Sequence, residues 1–172
     1  DLANDIKADY GQADLIYAAN VMCHIPDLKD VIKGVSSLLN DNGILVFEDP
    51  YLLDVIEKTS YDQIYDEHVY LFSLTSIQYL VDMFGLEIFD VEHLNTHGGS
   101  MRYYISKKNK YKITTNALDY FKKEKENNLS DIDTYFKFKK NVENSKHELV
   151  NLLINLNESG KRVCGYAATS KS

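Results

Sequence analysis

Residues 14–49, DLIYAANVMCHIPDLKDVIKGVSSLLNDNGILVFED, read as strand, helix, strand. Asp14 to Ala19 is short and apolar at its centre, which suits a strand. From Leu28 to Leu39, the residues Leu28, Val31, Ile32, Val35, Leu38 and Leu39 recur at the i, i+3, i+4, i+7 spacing of one buried helical face. Asp27 stands where a helix N-cap belongs, and Asn40-Asp41-Asn42-Gly43 supplies the stop. Ile44 to Glu48 is then a second apolar strand. Two strands joined by a helix form a βαβ unit with a parallel pair. The continuous apolar character of Leu15 to Ala19 and Ile44 to Phe47 fits strands covered on both faces, so the fold class is α/β with an open, doubly wound sheet.

Outward from that unit, Ser73 can cap a helix running to about Phe84, with Gly85 ending it. Strand-like Leu86 to His93 and Met101 to Ser106 follow, joined by Asn95-Thr96-His97-Gly98-Gly99. That link is too short for a parallel crossover, so these strands are expected to pair antiparallel. Helices are expected over Asn116 to Glu126 and Ile132 to Asn157, before a further unit that begins with Lys161 to Ala167. The chain opens on Asp1 and stops in a small-residue turn at Ser172, and both ends read as cut.

Composition narrows the class. The 172 residues are 44% hydrophobic and 12% aromatic, enough for a folded core. A formal net charge of -7 opposes non-specific binding to nucleic acid and favours a small-molecule partner. No run approaches the roughly 20 apolar residues of a membrane span, and no signal peptide is visible, so no membrane association and a cytoplasmic location are expected. Cys23 and Cys164 are far apart and lack paired spacing, so both are expected to be ordinary reduced thiols, with no metal cluster assembled from this chain.

The chemistry concentrates in Tyr61-Asp62-Gln63-Ile64-Tyr65-Asp66-Glu67-His68. This run follows neither the strand nor the helix period, and it gathers phenols, carboxylates and an imidazole in a loop after a strand. Tyr65, Glu67 and His68 are the candidate catalytic groups, the alternative being a hydrogen-bonded structural loop. His24, in Cys23-His24-Ile25-Pro26-Asp27, lies just past the carboxyl end of the first strand, where open α/β sheets bind ligands, and is a fourth candidate. His97 beside Gly98-Gly99 is a candidate substrate contact or else a plain tight turn.

These stretches, together with Phe47-Glu48-Asp49-Pro50-Tyr51, His97 to Tyr103 and Gly165 to Lys171, resemble the S-adenosylmethionine-dependent C-methyltransferases that act on nucleotide-linked keto-deoxysugars. The resemblance covers the chain from about residue 14 to the end, and Tyr61 to His68 is its most specific part. It implies the second half of a class I (Rossmann-like) methyltransferase sheet over residues 1–110, a helical linker over 111–160, and the start of a substrate-binding domain at 161–172. The family's zinc-binding domain, first three strands and glycine-rich cofactor loop lie before Asp1, so zinc is expected only there and the isolated chain is expected to bind the methyl donor poorly and to be inactive.

The resemblance further implies His68 as the base that removes a proton from the carbon next to a sugar ketone. Tyr65 and Glu67 share two roles, hydrogen-bond donor to the enolate oxygen and carboxylate partner of the imidazole. Given that sheet topology, Ala18, Ala19 and Asn20 are expected to touch S-adenosylmethionine, the alternative being small residues that let a helix approach, and Lys171 to meet a substrate phosphate, the alternative being a surface lysine. A nucleotide-linked sugar, with thymidine diphosphate as carrier, is the expected partner. Two rival readings are an oxygen- or nitrogen-directed methyltransferase and a non-catalytic scaffold of the same fold.

Overall fold

A computed structural model describes residues 2–166, in which helices pack on a single mixed sheet. Helix α1 (Leu2–Tyr10) leads into strand β1 (Ala13–Ala19). Helix α2 (Leu28–Leu38) then crosses to β2 (Leu39–Pro50), which pairs parallel with β1 through Ile16↔Leu45 and Ala18↔Phe47. This is the expected βαβ unit. Asp27 Oδ1 accepts from Asp30 N at 3.1 Å and caps α2, whose buried Leu28, Ile32 and Val35 are the positions the helical period picks out.

Helix α3 (Leu52–Lys58) and a 3₁₀ turn (Tyr61–Gln63) carry the chain to α4 (Leu74–Asp82). Ser73 caps α4 as expected, in a reciprocal box with Ser76, and Gly85 takes a positive φ of 72° just beyond it. Strands β3 (Leu86–Leu94) and β4 (Ser100–Lys107) follow and pair antiparallel. The sheet order is β1-β2-β4-β3, because β4 inserts antiparallel between β2 and β3. β3 therefore runs parallel to β2, and the carboxyl ends of β1, β2 and β3 share one edge of the sheet.

Buried side chains of α2, α4 and the sheet form one core that includes Ile32, Leu45, Phe47, Ile77, Val81, Ile88 and Ile105. Beside it, α5 (Thr115–Glu126) contributes Glu124, which is buried. Its carboxylate accepts from Leu74 N at 2.6 Å, Thr75 N at 2.9 Å and Tyr51 Oη at 3.0 Å, so one acid satisfies the amino end of α4 and a buried phenol together. Helix α6 (Ile132–Glu158) has no buried residue and exposes Leu149, Val150, Leu152, Leu153 and Ile154.

Two expectations need correction. Helices α1 and α3 were not anticipated. β1 is not covered on both faces: Leu15 and Tyr17 are 57% and 56% exposed, and β1 is an edge of the sheet. Residues 161–166 carry no helix or strand, and the expected unit from Lys161 to Ala167 runs on outside the described residues. Among the described residues, no helix is long and apolar enough to cross a membrane.

Candidate active site

Three loops leave the shared edge of the sheet, and two of them bring their imidazoles together. After β1, Asn20 adopts a left-handed φ of 52° while its N–H donates to Glu48 O at 2.8 Å. This turns the chain into a 3₁₀ turn (Met22–His24), with Met22 and Cys23 buried and His24 at the rim. After β2, α3 ends at Thr59 with a positive φ of 54° and releases the polar loop that ends in His68. Tyr70 closes the loop against the first turn, its N–H donating to Cys23 O at 3.2 Å and its hydroxyl to Pro26 O at 2.8 Å. The His24 and His68 rings consequently lie 5.1 Å apart, centroid to centroid.

Backbone carbonyls decide which ring nitrogens carry protons. His68 Nδ1 lies 2.8 Å from Gln63 O, and His24 Nδ1 lies 2.7 Å from Glu67 O. A carbonyl only accepts, so in each neutral imidazole Nδ1 is the donor and Nε2 keeps its lone pair. The Tyr65 hydroxyl donates to His68 Nε2 at 3.0 Å, with the two rings 4.2 Å apart. Desolvation first, then the neighbouring Glu67 charge, raises the Tyr65 pKa and keeps the phenol a donor.

His68 Nδ1 is held by a backbone carbonyl, that of Gln63. Glu67 is exposed, and it serves His24 through its backbone while its side chain acts on Tyr65 by charge alone. Beneath the imidazoles sit Cys23 and Asp49, 1% and 0% exposed. Burial pushes the Asp49 carboxyl above its ordinary range. Cys23 and the N–H groups of the turn ease that only partly, because neither Asp49 oxygen has a partner in hydrogen-bond geometry. Burial and then Asp49 push the Cys23 thiol far up.

His97 stands apart from this group. It lies exposed in the β3–β4 turn (Thr96–Gly98) with a φ of 53°, and among the described residues it makes no hydrogen bond to either imidazole. Its turn does lean on the root of the polar loop, since Lys58 Nζ donates to Gly98 O at 2.5 Å and Tyr51 N to Gly99 O at 3.1 Å. Ala18 and Ala19 are half-buried at the end of β1 and Asn20 is exposed beside the His24 turn. Lys171 lies outside the described residues.

Sequence reasoning missed the carbonyls of Gln63 and Glu67, which no residue type announces. It also missed the pair of half-buried His93 with buried Asp54 beside the loop, Nε2 to Oδ2 at 2.5 Å, with Asp54 also 2.9 Å from Lys58 Nζ.

Residues 1–91 match the family described as a methyltransferase domain. The chain belongs to that methyltransferase family. Residues 95–172 match a second description, the C-methyltransferase C-terminal domain. The C-methyltransferase NovU of Streptomyces niveus is 29% identical over 172 residues, 99% of this chain and 41% of NovU, so the chain spans about two fifths of that relative's length. Among solved structures, magnesium protoporphyrin IX methyltransferase of Synechocystis PCC 6803, with bound SAH, has a TM-score of 0.43 at 18% identity, covering 62% of this chain and 48% of that one. A SAM-dependent methyltransferase from Anabaena variabilis has a TM-score of 0.45 at 15% identity, covering 62% and 54%.

Proposed function

We propose that the complete protein transfers a methyl group from S-adenosylmethionine to the carbon beside the ketone of a nucleotide-linked keto-deoxysugar, with thymidine diphosphate as the carrier. The observation that carries this reading is the His68 imidazole, its Nδ1 proton on Gln63 O and its Nε2 facing the Tyr65 hydroxyl. A carbon nucleophile needs a base and a donor for the enolate oxygen, side by side, and these two groups are 3.0 Å apart. The match to a C-methyltransferase domain and the likeness to NovU support methylation at carbon.

In this reading the substrate ketone takes the hydrogen bond that Tyr65 gives His68. Nε2 is thereby released to accept the proton of the adjacent C–H bond, whose electron pair moves into the enolate. Tyr65 donates to the enolate oxygen, and the imidazolium keeps its Nδ1–H on the Gln63 carbonyl. His24 faces the same ketone from the opposite loop.

S-adenosylmethionine supplies an electrophilic methyl group, and Ala18, Ala19 and Asn20 are assigned to hold it. Their fit rests on small side chains and on the turn at Asn20, which opens the backbone toward the His24 loop. His97 and Lys171 are assigned to the sugar nucleotide.

The test follows labelled methyl from S-adenosylmethionine to a thymidine-diphosphate 4-keto-6-deoxysugar, using the complete protein and its His68→Gln variant. Label on a sugar carbon is expected with the unaltered protein. His68→Gln should lose about 10²- to 10⁴-fold in turnover while donor affinity stays within a few fold. Label on oxygen or nitrogen, or near-normal turnover in the variant, would overturn the assignment.

A further inference from the structure

Cys23, expected from sequence to be an ordinary thiol, lies with the two imidazoles. Its Sγ and a ring nitrogen from each of His24 and His68 all lie within 4.8 Å of one another. Each ring is held through Nδ1 on a backbone carbonyl, at 2.7 Å for His24 and 2.8 Å for His68, which leaves Nε2 as the ligand atom. An imidazole whose N–H is fixed by a carbonyl while its other nitrogen faces a common centre is the form in which proteins present histidine to metals.

The distances suit a small tetrahedral ion. Bonds of about 2.0–2.1 Å to nitrogen and 2.3 Å to sulfur place ligand atoms about 3.4–3.6 Å apart. No separation exceeds 4.8 Å, so a closure of at most about 1.2 Å suffices, which rotation of two rim imidazoles and displacement of the Tyr65 hydroxyl from His68 Nε2 can supply. One thiolate and two imidazoles favour borderline-soft divalent ions over Mg²⁺ or Ca²⁺, which demand oxygen. Three ligands leave a fourth position open toward the rim.

We propose that Cys23, His24 and His68 form a binding site for a divalent ion of the zinc class, and that its occupancy switches the enzyme off. The inhibitory half rests on the function proposed above, because the ion takes the Nε2 lone pair that His68 needs as a base. Binding breaks the Cys23 S–H bond, forms a sulfur–metal bond and passes the proton to solvent, with no change of oxidation state.

The experiment uses the complete protein after chelator treatment, with Co²⁺ as the spectroscopic probe and Zn²⁺ as the inhibitor. The unaltered protein should gain a thiolate-to-cobalt charge-transfer band that Cys23→Ala lacks; the difference spectrum excludes any cobalt held elsewhere in the protein. Cys23→Ser provides the same comparison should Cys23→Ala fail to fold. Zn²⁺ should depress methyl transfer at least tenfold, reversibly with chelator, and the Cys23 variant should need about 100-fold more zinc for the same loss. Absence of a Cys23-dependent cobalt band, or equal zinc sensitivity of both proteins, would overturn the proposal. A cobalt band in a protein that transfers no methyl group when metal-free would instead leave the metal site standing and remove the proposed activity.

Discussion

A backbone carbonyl, that of Gln63, places the proton on His68. Composition made the Tyr61 to His68 loop legible, since ionisable groups outside any apolar period mark a functional loop. The carbonyl was not legible, because its direction is set by the 3₁₀ turn at Tyr61–Gln63 and not by any side chain. Cys23 and Asp49 were opaque for a different reason: each sits in a stretch that reads as core, and only the pairing of β1 with β2 brings them under the imidazoles. Tyr65→Phe removes the donor while keeping the ring, so in the methyl-transfer assay turnover should fall about 10²- to 10³-fold.

Tyr103 offers a stability test at the same scale. It is fully buried, stacks on Phe47 at 4.7 Å, and its hydroxyl has no hydrogen-bond partner. An unpaired buried hydroxyl costs about 1–3 kcal/mol, so Tyr103→Phe should stabilise the protein by about 1 kcal/mol in denaturant titration. Burial, with Glu124 and Asp49 nearby, raises the phenol's folded-state pKa well above its ordinary value. Its contribution is therefore complete below the unfolded value of about 10 and is lost as pH climbs above it. The variant should accordingly show a shallower alkaline decline in stability.

Among the elements, those with a long one-sided period were readable and the short ones were not. α2 announces itself through five apolar positions and an Asp cap, the sixth periodic residue, Leu39, opening β2, whereas α3 is only 7 residues long and starts directly after Pro50 and Tyr51. Yet α3 sets the root of the polar loop. Its Asp54 binds His93 and Lys58, and Gly99 packs against it so closely that a Cβ there would stand 2.7 Å from Asp54 Cβ and nearer still to its carboxylate. Gly99 also has a φ of 138°. Gly99→Ala should thus cost about 2–4 kcal/mol, measured by thermal unfolding. Glu124→Ala should cost about as much, because it leaves two N–H groups of α4 and the Tyr51 hydroxyl without their acceptor.

At the level of the molecule, the α/β class and the antiparallel β3–β4 pair followed from link lengths and periods. The insertion of β4 between β2 and β3 did not, since strand order depends on which edge each strand joins. The bare flank of β1 carries its own prediction. Leu15 and Tyr17 are more than half exposed on an edge strand whose backbone groups are unpaired on one side. The 172-residue chain on its own should self-associate, and Tyr17→Lys with Leu15→Lys should shift its sedimentation toward monomer.

Helix α6 gives the molecule a different property. At 27 residues and about 1.5 Å per residue it reaches about 40 Å with no side chain buried along its length. Such a rod is a lever. A rotation of about 10° where Tyr135 Oη donates to Leu129 O would sweep the far end through about 7 Å. Small repacking at the base of α6 is thereby amplified into a displacement of several ångströms at its far end.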